Sequence, residues 1–248
     1  MNRLLYLNLP MACLVILLIL LFVIVFIIMK YSGWNVLRQV VSISLSVVMF
    51  FGSCLFVLDV SSNFGTMTKP VVYLYPEEEM SIDVKLSNPD SITCDYPEYG
   101  DGWSVTAKPN GDLKDLDSNK NLYCLYYEAS MPVLHVEDEG FVVKSADTAD
   151  FLDEKLEILG LNDKERNEFI IYWLPRLEAN KYNYIRFLTN DEMNEVQKLS
   201  VNPKPDCVIR VMMSYKGLDK PINVREQKLK TAARAGFTVV EWGGTEVE

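Results

Sequence analysis

Apolar and polar positions split this chain into two textures. Residues 11–29 are nineteen consecutive apolar side chains, from Met11 to Met29, and residues 40–58 form a second stretch without a charge. An α-helix rises about 1.5 Å per residue and a bilayer core is about 30 Å thick, so either stretch is long enough to cross it. The pattern therefore predicts a two-helix transmembrane hairpin over residues 1–60, with spans at about 4–29 and 40–58. Residues 61–68 read as a short tether, and residues 69–248 as one mixed α+β domain. A cleaved signal peptide is a poorer fit, because the first run is long and no small-x-small cleavage site comes before Lys30. A lipid-modified Cys54 is disfavoured too, since Leu55-Phe56-Val57-Leu58 stays apolar beyond it.

Beyond the tether the pattern becomes strand-like. Val71-Val72-Tyr73-Leu74-Tyr75 is a continuous apolar run, whereas Ile82-Asp83-Val84-Lys85-Leu86 alternates strictly, which predicts a strand with one wet face. Further strands are expected at Trp103–Ala107, Leu122–Glu128 and Phe141–Lys144. The texture then turns helical. Asp147 is placed to cap a helix through Leu159 whose stripe is Phe151, Leu152, Leu156 and Leu159, with Gly160 ending it. Asn162 and Glu165 form a capping pair for a second helix that carries Phe169, Ile170 and Trp173 and meets Pro175. The short link makes an αα-hairpin, whose apolar face is expected to cover a sheet. Strands return at Tyr184–Leu188, Val208–Ser214 and Phe237–Trp242, while residues 191–199 read equally as a short helix or a loop. Four Lys-Pro pairs, at 69, 108, 204 and 220, mark strand entries or edges.

Charge sharpens this division. Arg3, Lys30, Arg38 and Asp59 are the charged side chains up to residue 68, so the remainder holds 21 of the 24 basic and 33 of the 34 acidic residues, a net of −12. Such a domain is a poor match for nucleic acid or for an anionic lipid surface. Lys30 and Arg38 in the loop between the spans bias that loop to the cytoplasm, which predicts a multi-pass cell-membrane protein with its domain extracytoplasmic. Ser42, Ser46 and Ser53 make a small-residue face suited to packing against the first span or against a second copy.

Candidate chemistry is sparse. His135 is the single histidine, so any histidine-based triad or metal site must be built around it. No Gly-x-Ser-x-Gly elbow, phosphate loop or His-Glu-x-x-His is present, and no cofactor is expected. Asp115-Leu116-Asp117-Ser118-Asn119 opens like a calcium loop, but Lys120 stands where the turn requires Gly and Tyr126 where the bidentate Glu belongs. Cys94, Cys124 and Cys207 lack metal-ligand spacing. Two carboxylates sit inside apolar strands, Glu128 and Glu241, and they are the candidate acid and base of a glycan hydrolase if they face each other; the other reading is an acid at a strand end paired with a base such as Arg210 or hydrogen-bonded to backbone. Tyr127, Trp173, Glu178, Asn180 and Trp242 are the candidate ligand-binding residues, with Tyr172 beside them, for a groove that takes a sugar or a peptide.

Four motifs also carry a likeness. Lys69-Pro70-Val71-Val72-Tyr73-Leu74-Tyr75-Pro76-Glu77, Gly140-Phe141-Val142-Val143-Lys144, Tyr172-Trp173-Leu174-Pro175 and Val239-Val240-Glu241-Trp242-Gly243-Gly244 resemble a family of uncharacterised bacterial proteins, frequent in Firmicutes, with an N-terminal membrane or export segment. The resemblance covers roughly residues 69–248 and implies a domain boundary and an envelope context without implying an activity. The expected function is therefore a membrane-anchored, outward-facing module that binds an envelope protein or glycan. The alternatives are the paired-carboxylate hydrolase and a cytoplasmic-facing sensory or partner-binding domain.

Overall fold

The computed structural model describes residues 64–132, 139–230 and 233–247, together with positions 23, 27, 30, 45, 46 and 49. The chain separates into two units, Met1–Asn63 and Phe64–Glu248, and the account below is of the second. It is an α+β fold of thirteen strands and three α-helices among the described residues. Two sheets are formed: eight strands in the order β12 (Arg225–Glu226), β8 (Glu139–Lys144), β9 (Tyr182–Leu188), β11 (Cys207–Leu218), β13 (Thr238–Glu246), β1 (Phe64–Tyr75), β7 (Leu125–Pro132) and β3 (Ile92–Tyr96), and five in the order β10 (Leu199–Asn202), β2 (Met80–Leu86), β4 (Trp103–Ala107), β5 (Leu113–Asp115) and β6 (Asn121–Leu122).

Three layers result. One apolar cluster, including Val72, Leu74, Ile82, Trp103 and Leu125, fills the space between the two sheets, and a second, including Val71, Tyr73, Leu152, Phe169 and Trp242, lies between the large sheet and two helices. Strand β1 (Phe64–Tyr75) is central and sends alternate residues into the two clusters, which is why its sequence reads as a continuous apolar run. Strand β2 (Met80–Leu86) belongs to the outer sheet, burying Ile82, Val84 and Leu86 while Ser81, Asp83 and Lys85 stay exposed. The strict alternation thus predicted its wet face correctly.

The first two helices lie where the sequence places them, but the Asp147 side chain makes no capping hydrogen bond at the start of the first. Helix α1 (Thr148–Ile158) ends in a Schellman motif: Gly160, at φ +93°, donates to Glu157 O and Leu161 donates to Leu156 O, each at 3.0 Å. Helix α2 (Asp163–Leu177) opens with a complete capping box between Asn162 and Glu165. It runs past Pro175 to Leu177, with the Arg176 guanidinium donating to Tyr172 O in the turn that Pro175 disturbs. The ambiguous segment becomes helix α3 (Asn190–Val196), capped by Thr189, followed by β10 (Leu199–Asn202), which pairs with β2.

One expectation is corrected here. Among the described residues no helix is long and apolar enough to cross a membrane. The helices have 11, 15 and 7 residues, so the longest spans about 22 Å, and each has a charged face. The two-helix transmembrane hairpin is therefore not part of the fold as described; the spans expected at about 4–29 and 40–58 fall almost wholly outside the described residues. Strand β1 also begins at Phe64 and pairs Thr66 and Met67 with β7 (Leu125–Pro132), within the stretch read as a tether.

The Gly243-Gly244 pair shows why β13 (Thr238–Glu246) needs glycine. A Cβ on Gly244 would sit 2.7 Å from Met213 O and 2.8 Å from Trp173 Cζ2, so the indole of α2 rests directly on bare backbone. Gly244→Ala is expected to destabilise the domain by about 1–3 kcal/mol, because a backbone oxygen cannot move aside as a side chain does. An unchanged urea midpoint would mean that Trp173 yields freely.

Candidate functional site

The side of the large sheet that carries α1 and α2 holds a cleft of about 810 Å³ between α2 and strands β1, β7 and β3 (Ile92–Tyr96). Its shape starts from a backbone irregularity. Between Met67 and Val71 the register of β1 slips by one residue against both neighbours, Ala129 to Tyr126 on one side and, from Thr68, Gly244 to Trp242 on the other. Lys69 occupies that bulge at φ +59°, a left-handed conformation that costs a side-chain-bearing residue about 1–2 kcal/mol. The ammonium group of Lys69 lies 5.2 Å from the ring centre of Tyr172 and 6.0 Å from that of Tyr126.

Helix α2 supplies the facing wall. Lys164, Glu168, Tyr172 and Arg176 recur every four residues and so share one stripe of the helix. Lys164 stands 4.7 Å over the Tyr123 ring, and the guanidinium of Arg176 stacks 3.9 Å over Tyr172. Ile171, 70 % exposed, and half-exposed Tyr96 stand at the mouth. Glu168 is held from below by the Tyr73 hydroxyl, and next to it the Tyr75 hydroxyl donates to Glu165 at 2.8 Å. Arg234 also bonds Glu165, so that buried acid is satisfied by a helix cap, a tyrosine and a guanidinium at once.

Electrostatics hold the thiol in the cleft lining in its protonated form. Burial, reinforced by Glu168, pushes the Cys124 thiol up to about 11, so it stays protonated at neutral pH and is a poor nucleophile. Burial and then Glu128 raise Tyr126 as well. Among the described residues no three His, Cys, Asp or Glu side chains are grouped to hold a metal ion. The three domain cysteines are free, Cys94 being exposed. A thiol reagent at mildly alkaline pH is expected to modify Cys94 first and to reach Cys124 only as the pH nears its raised value, a sequence that peptide mass mapping reads directly. Rapid native-state labelling of Cys124 would contradict an unreactive floor.

The residues singled out from sequence are distributed differently. Glu128 and Glu241 do not face each other. Leu125, Tyr127 and Ala129 look into the cluster between the sheets, so Tyr126 and Glu128, which interact, project to the helix side. Glu241 shares the opposite face with Val239, accepts 2.6 Å from the Tyr127 hydroxyl and pairs with Arg210. A shared sheet does not imply a shared face, since successive residues of a strand alternate, and the paired-acid arrangement is excluded. Arg210 also donates to Asn194 of α3 at 3.1 Å. Burial acts to lower its pKa, but the Glu241 carboxylate and Tyr127 outweigh that and leave it raised.

Tyr127, Trp173 and Trp242 are core residues, each at most 1 % exposed, and form no groove. Glu178 is exposed at the C-cap of α2, and Asn180 donates to Asn183 at 2.8 Å while packing on Gly217. From helix α2 it is Glu168, Ile171, Tyr172, Pro175 and Arg176 that line the cleft. Asp115 is buried and caps its own turn by accepting from Ser118 N–H at 2.8 Å. His135, Ser42 and Ser53 lie outside the described residues. Sequence reading missed Lys69, Tyr96, Tyr123, Glu168 and Arg176; the four-residue recurrence on α2 was a usable signal, whereas the left-handed Lys69 was not. Compared with protein-family models, with curated proteins and with solved structures, the chain matches none of them.

Proposed function

We propose that this protein is a binding module that works through the tyrosine-lined cleft and performs no covalent chemistry of its own. The observation that carries this reading is the convergence of Tyr96, Tyr123, Tyr126 and Tyr172 on one open cleft whose thiol is held protonated. Pockets that bind rather than react combine apolar or aromatic walls with a few placed polar groups, and this one has ring faces with Lys69, Glu168 and Arg176 set among them. The strained backbone at Lys69 supports it further, because such a conformation persists where its side chain has a task.

The test is to titrate a panel of oligosaccharides and peptides into the native protein and into Tyr172→Ala and Ile171→Trp variants, following tryptophan and tyrosine fluorescence or heat. Loss of a stacking ring is expected to weaken the binder found about tenfold. Ile171→Trp fills the mouth from an exposed position and is expected to block binding without a change in stability. A panel binder indifferent to both substitutions would move the function elsewhere on the molecule.

A further inference from the structure

We infer that the ligand of this cleft is a saccharide chain bearing anionic groups, carboxylate or phosphate, and that Lys69 is the residue that reads the charge. This rests on the cleft reading above. Three of the cleft tyrosines, Tyr123, Tyr126 and Tyr172, each already have a cation over the ring. Lys69 lies over Tyr126 and Tyr172, Arg176 over Tyr172 and Lys164 over Tyr123. The cleft lining thus holds two cations backed by rings, Lys69 and Arg176, with Lys164 over the neighbouring ring of Tyr123. Among the described residues none of the three forms an ion pair, although the domain as a whole has a net charge of −12. Two cations, Lys69 and Arg176, against the single carboxylate of Glu168 make the lining of the cleft net positive on an acidic molecule, and an anion is the group that completes it.

Polyanions are repelled by the remainder of the surface, so attraction confined to this wall also supplies selectivity. A peptide carrying the same charge is disfavoured by the backbone. The strand edge that borders the cleft is β3, five residues long, interrupted by a register shift between Ile92 and Cys94, and followed at once by Pro97. Such an edge is too short and irregular to receive an added strand, so the ligand is held by side chains alone. Rings, hydroxyl-bonding groups such as Glu168 and Asn121, and cations suit a charged sugar.

The test uses matched polymers: carboxymethyl dextran, phosphorylated dextran, plain dextran and polyglutamate, each titrated into the whole protein at low and near-physiological salt. The two charged dextrans are expected to bind, the preferred one identifying carboxylate or phosphate as the natural group, with affinity falling as salt rises. Lys69→Gly is the decisive variant. It removes the ammonium and at the same time relieves the left-handed backbone, so affinity is expected to fall about tenfold while thermal stability holds or rises. Lys69→Arg is expected to retain most of the binding. Plain dextran binding as tightly as its charged forms would overturn the charge assignment and leave the cleft reading intact. Polyglutamate binding as well as the charged dextrans would overturn the saccharide assignment in favour of an acidic peptide. Failure of both charged dextrans to bind would overturn the inference itself. Charged-dextran binding that ignores Ile171→Trp would instead sink the cleft reading.

Discussion

Raising the pH above about 10 is expected to unfold this domain in one cooperative step rather than to ionise its tyrosines one by one. Tyr73, Tyr127 and Tyr215 are 1 %, 0 % and 2 % exposed. In each the hydroxyl pKa is raised, by burial first and then by a neighbouring carboxylate: Glu168 for Tyr73, Glu241 for Tyr127 and Glu246 for Tyr215. A tyrosine in the unfolded chain ionises near about pH 10, whereas these three keep their protons to higher pH in the fold. The folded state thus holds protons that the unfolded state releases. Their contribution is complete below about pH 10 and is lost as the pH climbs past it, by about 1.4 kcal/mol per tyrosine per pH unit. Three such residues remove about 4 kcal/mol for each unit, and a domain stable by about 5–15 kcal/mol cannot survive more than a few. Tyrosinate absorbance and far-ultraviolet circular dichroism followed together are expected to change at the same pH. Smooth tyrosine ionisation near pH 10 in a still-folded protein would show that these hydroxyls reach water.

The second large effect is expected at the pair between the sheets. Arg210→Met leaves Glu241 fully buried without its cation, and losing one partner of a buried ion pair costs about 3–5 kcal/mol. Glu241→Leu is expected to cost a similar amount, since it strands the guanidinium and the Tyr127 hydroxyl together. The triple replacement Arg210→Met/Glu241→Leu/Tyr127→Phe removes the three buried polar groups at once, leaving only exposed Asn194, and is expected to recover most of that loss, because no uncompensated charge remains. Urea unfolding of the four proteins reads the result. A single variant within about 0.5 kcal/mol of the wild type would mean that water reaches the site and solvates the remaining group.

The sequence reading of Glu241 left two roles open, a catalytic acid and an acid paired with a base such as Arg210, and the structure shows the pair. Glu241 stood out as an acid among apolar neighbours, which was sound, but the same signal fits a catalytic acid and a paired structural one. Only the identity of what lies across the strand separates them, and Arg210 is 31 residues away along the chain. Glu128 illustrates the converse. Its strand was recognised, yet its face was not assignable from the stretch Leu122–Glu128, because the chain breaks between β6 (Asn121–Leu122) and β7 and resets the alternation.

The candidate cleft divides along the same line. Lys164, Glu168, Tyr172 and Arg176 form a stripe that helical periodicity alone makes legible, and the capping box at Asn162 and Glu165 fixed where that periodicity starts. Lys69 was legible only as the first residue of a Lys-Pro pair. Its left-handed conformation arises from a one-residue bulge that exists only because β1 is paired on both sides.

Local physics was sufficient for the elements: alternation identified the wet strand β2, continuous apolarity the doubly covered β1, Gly160 the end of α1 and the Asn162–Glu165 capping box the start of α2, because each depends on neighbours a few residues apart. Tertiary structure decided the rest. The assignment of strands to two sheets, the opposite faces of Glu128 and Glu241, the burial of Trp173 against Gly244 and the convergence of Lys69 with Tyr126 and Tyr172 all join residues far apart in the chain, and periodicity carries no record of which distant segment a face will meet.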